Sequence, residues 1–450
     1  MDGHHHSRPL ELRLRIPDVQ GSLGWSIAVI GSGVAGLTAA YAMSGRGRVT
    51  LYEADTRLGG HAHTHLVDRG DGSIIGVDSA FLVHNDRTYP TLCRLFAELG
   101  VATQESEMSM SVRAEQTGLE YAGALGIRGL FASWQSARPR YLLMLTEILR
   151  FHRAASRLLC DEDADTMETL AEFLHRQRFS AFFVEHFITP LVAAVWSCGS
   201  SDALRYPARY LFVFLDHHGM LSVFGSPAWR TVSGGSALYV HAIASQLHEV
   251  CVGTAVHSLR RLPDGVLVQA GACAPRFFDA AVVAVHPDQA LLLLDDPTPE
   301  ERAVLGAIPY SVNRAQLHTD ESVLPRRRRA RASWNYLITP DNGQVLVTYD
   351  VSRLMRIDAD RRFLVTLGGQ DRVDPKSVIA EMTYGHPLYT PKSVAAQRLL
   401  PRLDDDRVVF AGAYHGWGFH EDGAASGLRA ARRLGAEWPA SFAPTEVLAC

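Results

Sequence analysis

Three glycines and one glutamate near the start of the chain have the residue types and the spacing that bind a dinucleotide. Gly31, Gly33 and Gly36 follow an apolar run, and Glu53 stands 20 residues beyond Gly33, at the end of a second apolar run. The first glycine permits a tight turn, the second lets the backbone approach a pyrophosphate, and the third lets a helix pack closely on the strand. The helix N-terminus offers N–H groups to the phosphates, and the carboxylate can accept hydrogen bonds from ribose hydroxyls. The sequence therefore predicts a strand–helix–strand unit over 25–60 that binds a dinucleotide.

Two further glycine-rich segments favour FAD over NAD. Gly59 and Gly60 follow the glutamate closely, where a second close approach of backbone suits a ligand that continues past the pyrophosphate. Near the C-terminus a last strand, 407–412, leads into a glycine-containing helix, whose N-terminus suits the flavin edge that gains negative charge on reduction. Simple turns and helix packing remain an alternative explanation of these C-terminal glycines. The predicted cofactor contacts are Gly31, Gly33, Val34, Ala35, Gly36, Glu53, Ala54, Arg57, Gly59, Gly60, His61, Thr64, Val256, Gly412, Gly418, Asp422 and Gly423.

Histidines close to these glycines are the candidates for proton transfer. His61 begins a His-x-His-x-His run, and His415 and His420 lie in the segment that should pass the flavin ring. We take His420, His415 and His61 as candidate catalytic acids or bases. Backbone capping or phosphate contact is the structural alternative for each of them, and we expect Asp422 to cap the last helix.

An aromatic-rich stretch over 206–224 predicts either the core of a second lobe or the wall of a tunnel for a long apolar substrate. Both explanations stay open, because large aromatic side chains serve packing and apolar binding equally well. The substrate-binding candidates are Tyr210, Phe212, Phe214 and, from the C-terminal segment, Trp417.

The arrangement of elements predicts an α/β protein with two interleaved lobes. The expected elements include a strand over 76–83, helices over 139–159 and 182–196, and a last helix over 424–434. We assign a Rossmann-type FAD-binding domain to 25–104, 230–300 and 406–436, a mixed-sheet and helical substrate domain to 105–229 and 301–405, a flexible N-terminal arm to 1–24 and a C-terminal tail to 437–450.

Composition and charge narrow the function further. A net charge of −4 gives no general reason to bind nucleic acid, and the six scattered cysteines show no metal-ligand spacing, so we predict reduced thiols and no metal site. Because no signal peptide or long uncharged apolar window is present, we predict a cytoplasmic protein. The basic run Arg326–Arg329 and the arginine-bearing helix 139–159 form either solvated surfaces or a peripheral contact with an anionic membrane.

The chain resembles the FAD-dependent amine-oxidase/phytoene-desaturase superfamily over nearly its whole length, and within it a bacterial group of NAD/FAD-binding oxidoreductases. The resemblance is carried by Gly59–Thr64, Val77–Pro90, Trp229–Ser236 and Gly418–Gly423. It implies FAD as the cofactor. Members of the group often accompany cyclopropane-fatty-acid-synthase-type methyltransferases, so the resemblance also implies a lipid substrate and a lipid methyltransferase as partner.

Two positions and the scarcity of lysine depart from the superfamily pattern. His61 stands where an arginine is usual, and Ala413 stands where an acid often holds the ribitol. Amine oxidases of the superfamily commonly use a lysine near the flavin N5, but the only lysines are Lys376 and Lys392, each in a Pro-Lys-Ser-Val turn. His61 implies a weaker contact with the pyrophosphate or a position facing the flavin, and Ala413 removes the ribitol contact. The lack of a suitable lysine argues against classical amine oxidation.

From these observations we predict an FAD-dependent oxidoreductase. It would transfer a hydride between the flavin and an apolar substrate, with a fatty-acyl or lipid chain preferred, in the direction of saturation or desaturation. The first alternative is a flavin amine oxidase acting on a small amine. The second is a redox-neutral FAD-dependent isomerase or a non-catalytic component of a lipid-modifying complex. The sequence does not identify the oligomeric state or the electron partner.

Overall fold

A computed structural model describes residues 24–161, 167–222, 225–340, 346–436 and 438. The N-terminal arm predicted for 1–24 and the C-terminal tail predicted for 437–450 lie outside these residues, apart from Gly24 and Trp438. None of the helices in the described ranges combines the length and the apolar character needed to cross a bilayer.

The described chain contains twenty strands and fifteen α-helices, which confirm the mixed α/β class. The strands are β1 (Trp25–Ile30), β2 (Gly47–Tyr52), β3 (Thr64–Asp68), β4 (Ile74–Asp78), β5 (His84–Asn85), β6 (Thr103–Glu105), β7 (Met110–Ala114), β8 (Leu119–Gly123), β9 (Trp229–Val232), β10 (Glu249–Cys251), β11 (Val256–Arg261), β12 (Val266–Ala270), β13 (Arg276–Phe278), β14 (Ala280–Val283), β15 (Tyr310–His318), β16 (Trp334–Ile338), β17 (Val347–Asp350), β18 (Leu364–Leu367), β19 (Val378–Pro387) and β20 (Val408–Phe410). The helices are α1 (Val34–Met43), α2 (Pro90–Glu98), α3 (Gly126–Leu130), α4 (Pro139–Cys160), α5 (Leu170–Arg176), α6 (Ala181–Phe183), α7 (Thr189–Trp196), α8 (Ser200–Ala203), α9 (Ala208–His217), α10 (Ala237–Ala244), α11 (Pro287–Leu293), α12 (Pro299–Leu305), α13 (Val351–Leu354), α14 (Pro391–Gln397) and α15 (His420–Arg433).

The first sheet is parallel, with the strand order β10–β2–β1–β14–β20. Its central strands are apolar and buried, as a parallel sheet covered on both faces requires. Helix α1 is buried along its whole length and packs against α15, where a Cβ at Gly427 would overlap the Ala35 carbonyl oxygen. The strand–helix–strand unit predicted over 25–60 is confirmed.

The second sheet has seven strands in the order β19–β15–β18–β17–β16–β7–β8, antiparallel except for the pair β16–β7. The hairpin β7–β8 forms one edge of this sheet. Strands from 105–229 and from 301–405 therefore share one sheet, as a common substrate domain would require. The boundaries of that domain remain a prediction.

Helices α4 to α9 and the second sheet enclose one apolar core rich in aromatic rings. Phe212 lies at its centre, with its ring 5.3 Å from that of Phe151 and 4.8 Å from that of Phe173. The helix predicted over 182–196 is a continuous run of α6, a π-helical turn at Val184–Ile188, and α7. Helical periodicity therefore identified the run but not its change of pitch.

Two predicted boundaries are wrong. The strand expected over 76–83 ends at Asp78, because its carboxylate accepts hydrogen bonds from Ser236 of another segment and the chain turns away there. The last helix begins at His420 rather than at residue 424. The Asp422 carboxylate accepts the Phe419 N–H at 2.9 Å, so the acidic residues form the first helical turn instead of preceding it.

Candidate FAD site and substrate cavity

One cavity of about 590 Å³ lies between the carboxyl ends of the parallel strands and the second sheet. On one side it is lined by residues that directly follow β1, β2, β14 and β20. On the other side it is lined by residues of β15, β16, β17 and β19 and of helices α7 and α9. Ligands of open α/β sheets bind in this position, outside the carboxyl ends of the strands.

The first glycine turn has the geometry expected of a pyrophosphate site. Gly31 has a φ of +98°, and a Cβ there would lie 2.6 Å from the carbonyl oxygen of Ala284. A Cβ at Gly36 would overlap the Gly31 carbonyl oxygen, so α1 contacts the turn directly. At Gly33, by contrast, a Cβ would meet nothing within 4 Å, because this position faces the cavity. The turn therefore leaves space at Gly33, where a pyrophosphate must approach the backbone. Val34 and Ala35 line the same wall of the cavity.

Glu53 lines the cavity at the end of β2, together with Ala54. Its carboxylate accepts hydrogen bonds from the Ser32 N–H and the Asp55 N–H, each at 2.9 Å, and one from the Ser32 hydroxyl. These contacts fix the carboxylate beside the glycine turn. Oε1, which accepts only the Asp55 N–H, has a further lone pair for a ribose hydroxyl.

The second glycine pair lies directly against the first glycine turn. Gly60 has a φ of +57°, and its Cβ would lie 3.1 Å from the Gly33 Cα. Gly59 has a φ of +107° and packs against the Ala62 carbonyl oxygen. Gly60 lines the cavity, whereas Gly59 and Arg57 do not, and Arg57 is instead 3.5 Å from the carboxylate of Asp55. Val256, further along the same end, also lines the cavity.

The C-terminal segment forms the other end of the glycine-lined part of the cavity. Gly412 and Gly418 line the cavity, and α15 begins beside them at His420. Asp422 and Gly423 do not line it. Burial raises the pKa of the Asp422 carboxyl to about 7 while it caps the helix, and a Cβ at Gly423 would lie 2.6 Å from the Val34 side chain. The residues present fit FAD, since the open position at Gly33, an oriented carboxylate and a helix N-terminus line one continuous cleft.

His61 and His420, two of the three catalytic candidates, line the cavity. The His61 ring lies 5.0 Å from the ring of Tyr384 and 5.2 Å from that of His386, and burial lowers its pKa well below the usual value. The His420 ring stacks on Phe81 at 3.8 Å, with Nε2 3.3 Å from the Tyr239 hydroxyl. Burial lowers the pKa of His420 to about 3. Both imidazoles are therefore neutral near pH 7.

His415, the third candidate, does not line the cavity. Its Nδ1 accepts a hydrogen bond from the Arg429 guanidinium at 3.0 Å, and its Nε2 is buried without a partner among the described residues. Burial, and then the Arg429 charge, lower its pKa well below the usual value. This geometry gives His415 a structural contact rather than access to a ligand.

His286 and His386 also line the cavity, although the sequence did not single them out. His286 follows the buried strand β14 and stacks on Tyr310 at 4.1 Å. His386, in β19, accepts a hydrogen bond at Nδ1 from the Asn313 side-chain amide at 2.9 Å, and burial lowers its pKa to about 4. His286 could have been predicted from the sequence, because it follows a buried parallel strand. His386 could not, because its position depends on the register between two distant strands.

The remaining histidines of the His-x-His-x-His run form a separate polar network. His63 Nδ1 lies 3.0 Å from the Tyr384 hydroxyl, that hydroxyl lies 2.7 Å from Ser79 Oγ, and Ser79 Oγ lies 2.9 Å from His65 Nε2. Thr64, predicted to contact the cofactor, instead donates to the buried Asp78 carboxylate and accepts the Ala237 N–H. It does not line the cavity.

The predicted substrate-binding aromatics separate into different environments. Only Phe214 lines the cavity. Phe212 is fully buried in the aromatic core, and Tyr210 donates its hydroxyl to the Gly416 carbonyl oxygen at 2.7 Å. Trp417 lies behind the wall, where its carbonyl oxygen accepts the Trp196 indole N–H at 2.9 Å. Apolar wall residues that were not predicted are Leu82, Val83, Met108, Val195, Trp196, Met220, Trp334 and Tyr349.

The cavity wall carries almost no charge. Among the described residues that line it, Glu53 is the only acid, and none is a lysine or an arginine. Lys376 and Lys392 lie on the surface, in a short turn before β19 and in α14. In the described ranges no three His, Cys, Asp or Glu side chains are grouped so as to hold a metal ion.

The comparisons with known proteins agree with this geometry. The profile of a family described as flavin containing amine oxidoreductase matches residues 34–435. Solved structures with the same fold include wild-type putrescine oxidase bound to putrescine, with 16% identity, a TM-score of 0.65, and coverage of 92% of this chain and 100% of that one. Cyclohexylamine oxidase from Brevibacterium oxydans IH-35A has 16% identity, a TM-score of 0.66, and coverage of 91% and 98%.

A CLA-producing fatty acid isomerase from P. acnes is similar to the same degree, with 16% identity, a TM-score of 0.66, and coverage of 91% of this chain and 98% of that one. A search of curated protein sequences found no match. At these identities the structural matches establish the fold alone, whereas the family profile covers most of the chain. The chain is a member of the flavin-containing amine oxidoreductase family and is an FAD-dependent oxidoreductase.

Proposed function

We propose that this oxidoreductase transfers a hydride between FAD and an uncharged apolar substrate, with the fatty-acyl chain of a lipid as the preferred class. The observation that carries the proposal is the uncharged, largely apolar wall beyond the adenosine end of the cavity. Glu53 belongs to that adenosine end, since it adjoins the first glycine turn. A substrate beyond it meets neutral imidazoles and apolar side chains.

This wall disfavours a small amine as substrate. An alkylammonium ion transferred from water into the cavity would find no carboxylate there to balance its charge. Burial of such an unpaired charge costs several kcal/mol. The absence of a lysine from the wall argues in the same direction, because the amine oxidases that the sequence resembles commonly use one.

The same wall also favours an esterified chain over a free fatty acid. A free carboxylate would need a cation, and neither arginine nor lysine lines the cavity. Burial lowers the pKa values of the cavity histidines, as for His386 at about 4, so they do not supply that cation at neutral pH. An acyl chain whose carboxyl group is esterified carries no such requirement, and its polar headgroup can remain outside.

Bound FAD supplies hydride transfer, which no side chain of this protein can provide. The chain's own residues exclude water, through Trp196, Phe214 and Trp334, and provide neutral imidazoles. His61 faces the cavity unprotonated and can accept a proton at a ring nitrogen. In His386, Nδ1 accepts from Asn313, whose amide also donates to Ser311 Oγ at 3.0 Å, so Nε2 carries the proton.

Anaerobic reduction of the purified FAD-loaded protein tests the proposal. Addition of a saturated long-chain acyl ester in detergent should bleach the oxidised flavin band at roughly 450 nm. Substitution His61→Asn should slow this bleaching by about 10²-fold or more and flatten its pH dependence, whereas His217→Asn, on the exposed side of α9, should not change it. Bleaching by putrescine but not by the ester would reverse the assignment.

The redox-neutral alternative needs its own readout, because amine oxidases and a fatty acid isomerase share this fold. An unsaturated acyl ester should emerge with its double bond moved, while the flavin band returns to its oxidised intensity, if the protein is an isomerase. Net gain or loss of a double bond, matched by a stoichiometric change in the flavin, supports the oxidoreductase. A methyltransferase partner remains a prediction of the sequence resemblance.

A further inference from the structure

One face of the molecule exposes a group of large apolar side chains around α3 and the start of α4. The exposed fractions are unusually high for side chains of this size. We call this group the apolar cluster, and its members are Ile127 (77% exposed), Phe131 (42%), Trp134 (66%), Leu142 (43%) and Leu143 (53%).

Short-range contacts hold the apolar cluster on one rigid base. The Phe131 ring meets the buried Tyr141 ring at 6.1 Å, and the Tyr141 hydroxyl donates to the Leu130 carbonyl oxygen at 2.7 Å. The Arg138 guanidinium lies 4.8 Å from the centre of the Trp134 ring. Helix α3, the turn that carries Trp134, and the first turns of α4 therefore present their exposed side chains from one packed unit.

Two basic segments that are distant in sequence meet at this cluster. Arg128, Arg138 and Arg140 lie within it, and α3 packs against the short turn Arg328–Ala330. The buried Glu120 accepts the backbone N–H groups of Arg326 and Arg327 at 3.1 and 2.8 Å, which fixes that turn beside β8. The Arg326–Arg329 run and the N-terminal part of helix 139–159 are therefore parts of one surface.

None of these arginines is neutralised within the described chain. The basic set consists of Arg128, Arg138, Arg140, Arg326, Arg327, Arg328 and Arg329, all of them exposed. No side-chain carboxylate of the described residues pairs with any of the seven. The sequence has no acid between Glu120 and Glu147, and both of these are buried.

We propose that the apolar cluster and its seven arginines dock the protein on an anionic lipid bilayer. The aromatic and aliphatic side chains enter the boundary between headgroups and acyl chains, and the arginines pair with lipid phosphates around them. Trp134 beneath the Arg138 guanidinium presents an apolar ring with a cation above it, which suits that boundary. This docking is independent of the redox chemistry, so either proposal can fail without the other.

Two other partners fit this surface less well than a bilayer does. A second copy of the chain seated symmetrically on the same face would bring two sets of seven arginines together, and like charges across an interface are costly. A nucleic acid would satisfy the arginines but leave Ile127, Leu142 and Leu143 without an apolar environment. A bilayer with anionic headgroups offers phosphates to the arginines and an apolar environment to the apolar cluster.

Vesicle flotation with the full-length FAD-loaded protein tests the proposal. The protein should float with vesicles of phosphatidylcholine and phosphatidylglycerol, should not float with phosphatidylcholine alone, and should be released by high salt. Double substitution Arg328→Gln and Arg329→Gln should weaken the binding roughly tenfold to thirtyfold, whereas Arg328→Lys with Arg329→Lys should retain it. The matched control Arg398→Gln with Arg432→Gln changes two exposed arginines, one directly after α14 and one in α15, and should have no effect.

A second pair of variants isolates the apolar contribution. Phe131→Ser with Trp134→Ser should weaken flotation at least tenfold, while Leu66→Ser with Val312→Ser, at positions 80% and 74% exposed elsewhere, should leave it unchanged. Unchanged FAD content and melting temperature show that each variant is folded. The proposal is overturned if the wild-type protein does not float with anionic vesicles, or if the cluster variants and their controls float equally. Loss of self-association, or of binding to a duplex oligonucleotide, in the cluster variants without loss of flotation would also overturn it.

Discussion

The two ends of the cavity are built in opposite ways. At the nucleotide end, a few residues close together in sequence form the wall, and backbone meets backbone at Gly31 and Gly36. At the substrate end, the wall is assembled from side chains of α7, α9, β16 and β17, which are distant in sequence. At Gly31 and Gly36 the first end has no room for a side chain, whereas the second end varies through its side chains. This difference separates binding of the cofactor, which is fixed by the backbone, from selection of the substrate.

The largest effect should come from Gly36→Ala. A Cβ there overlaps the Gly31 carbonyl oxygen, and neither backbone can move without separating α1 from the sheet. We expect destabilisation of about 3 kcal/mol or more, with loss of FAD, because overpacking against backbone cannot be relieved by a rotamer change. Thermal melting and the flavin absorbance of the purified variant measure both quantities. A variant that melts like the wild type and retains FAD would show that the two backbones are not in contact.

Gly33→Ala should separate folding from cofactor binding. A Cβ at Gly33 meets no protein atom within 4 Å, so the variant should fold with a melting temperature close to that of the wild type. The same methyl group would fill the space for the pyrophosphate, and FAD affinity should fall by about 10²-fold or more. Titration of the FAD-free protein with FAD, monitored by flavin fluorescence, gives the affinity. Wild-type affinity in this variant would remove the pyrophosphate from this turn.

At the substrate end, two aromatic side chains should behave differently. Phe212→Ala should lower the free energy of unfolding by about 3–5 kcal/mol, because the ring is fully buried in the core. Trp334→Ala should cost less stability but raise the KM for an acyl ester several-fold, since the half-buried ring lines the cavity. Denaturant unfolding and steady-state kinetics on both variants make the comparison. Equal effects of the two substitutions on KM would place Phe212 in the wall after all.

A smaller effect should appear in the pH dependence of stability. Burial raises the pKa of Asp422 from 3.8 to about 7, so the native protein binds this proton more tightly than the unfolded chain does. The free energy of unfolding of the FAD-free protein should therefore fall as the pH rises from about 4 to about 7, and Asp422→Asn should remove this part of the decline. Urea unfolding at several pH values measures it, with the exposed Asp264→Asn as control. Parallel pH profiles for the wild type and Asp422→Asn would contradict the raised pKa.

The smallest effect should come from the two lysines. Lys376→Ala and Lys392→Ala, at surface positions away from the cavity, should each leave the rate of flavin reduction within about twofold of the wild-type rate. Stopped-flow absorbance with the reducing substrate gives this rate. A loss of two or more orders of magnitude in either variant would indicate amine-oxidase chemistry through that lysine.

The same contrast explains what the sequence could predict. The first glycine turn with Glu53 was readable because each requirement acts over short range, on backbone conformation and on the end of one strand. The aromatic stretch was ambiguous, because Phe212 and Phe214 differ by two residues yet lie in the core and at the cavity. Only the orientation of α9 against the rest of the fold decides between them. His386 could not be predicted, since its place depends on the register between β15 and β19.

The apolar cluster shows the same limit on the surface. The arginine run at 326–329 and the helix over 139–159 were each visible in the sequence, but nothing local indicates that they adjoin. The hydrogen bonds from Arg326 and Arg327 to Glu120 fix the arginine run beside β8, where α3 packs against it. Sequence patterns thus identified the pieces of this surface, and only tertiary packing joined them.

The central claim is that an uncharged wall selects an uncharged chain, and a matched pair of ligands tests it most directly. The two ligands are a long-chain acyl methyl ester and the primary alkylamine of the same chain length, each titrated anaerobically into the FAD-loaded protein at neutral pH. The perturbation of the flavin spectrum reports their dissociation constants. We expect the ester to bind about 10²-fold more tightly than the alkylammonium ion, since only the ion must leave its charge unpaired. Equal or tighter binding of the amine would contradict the account.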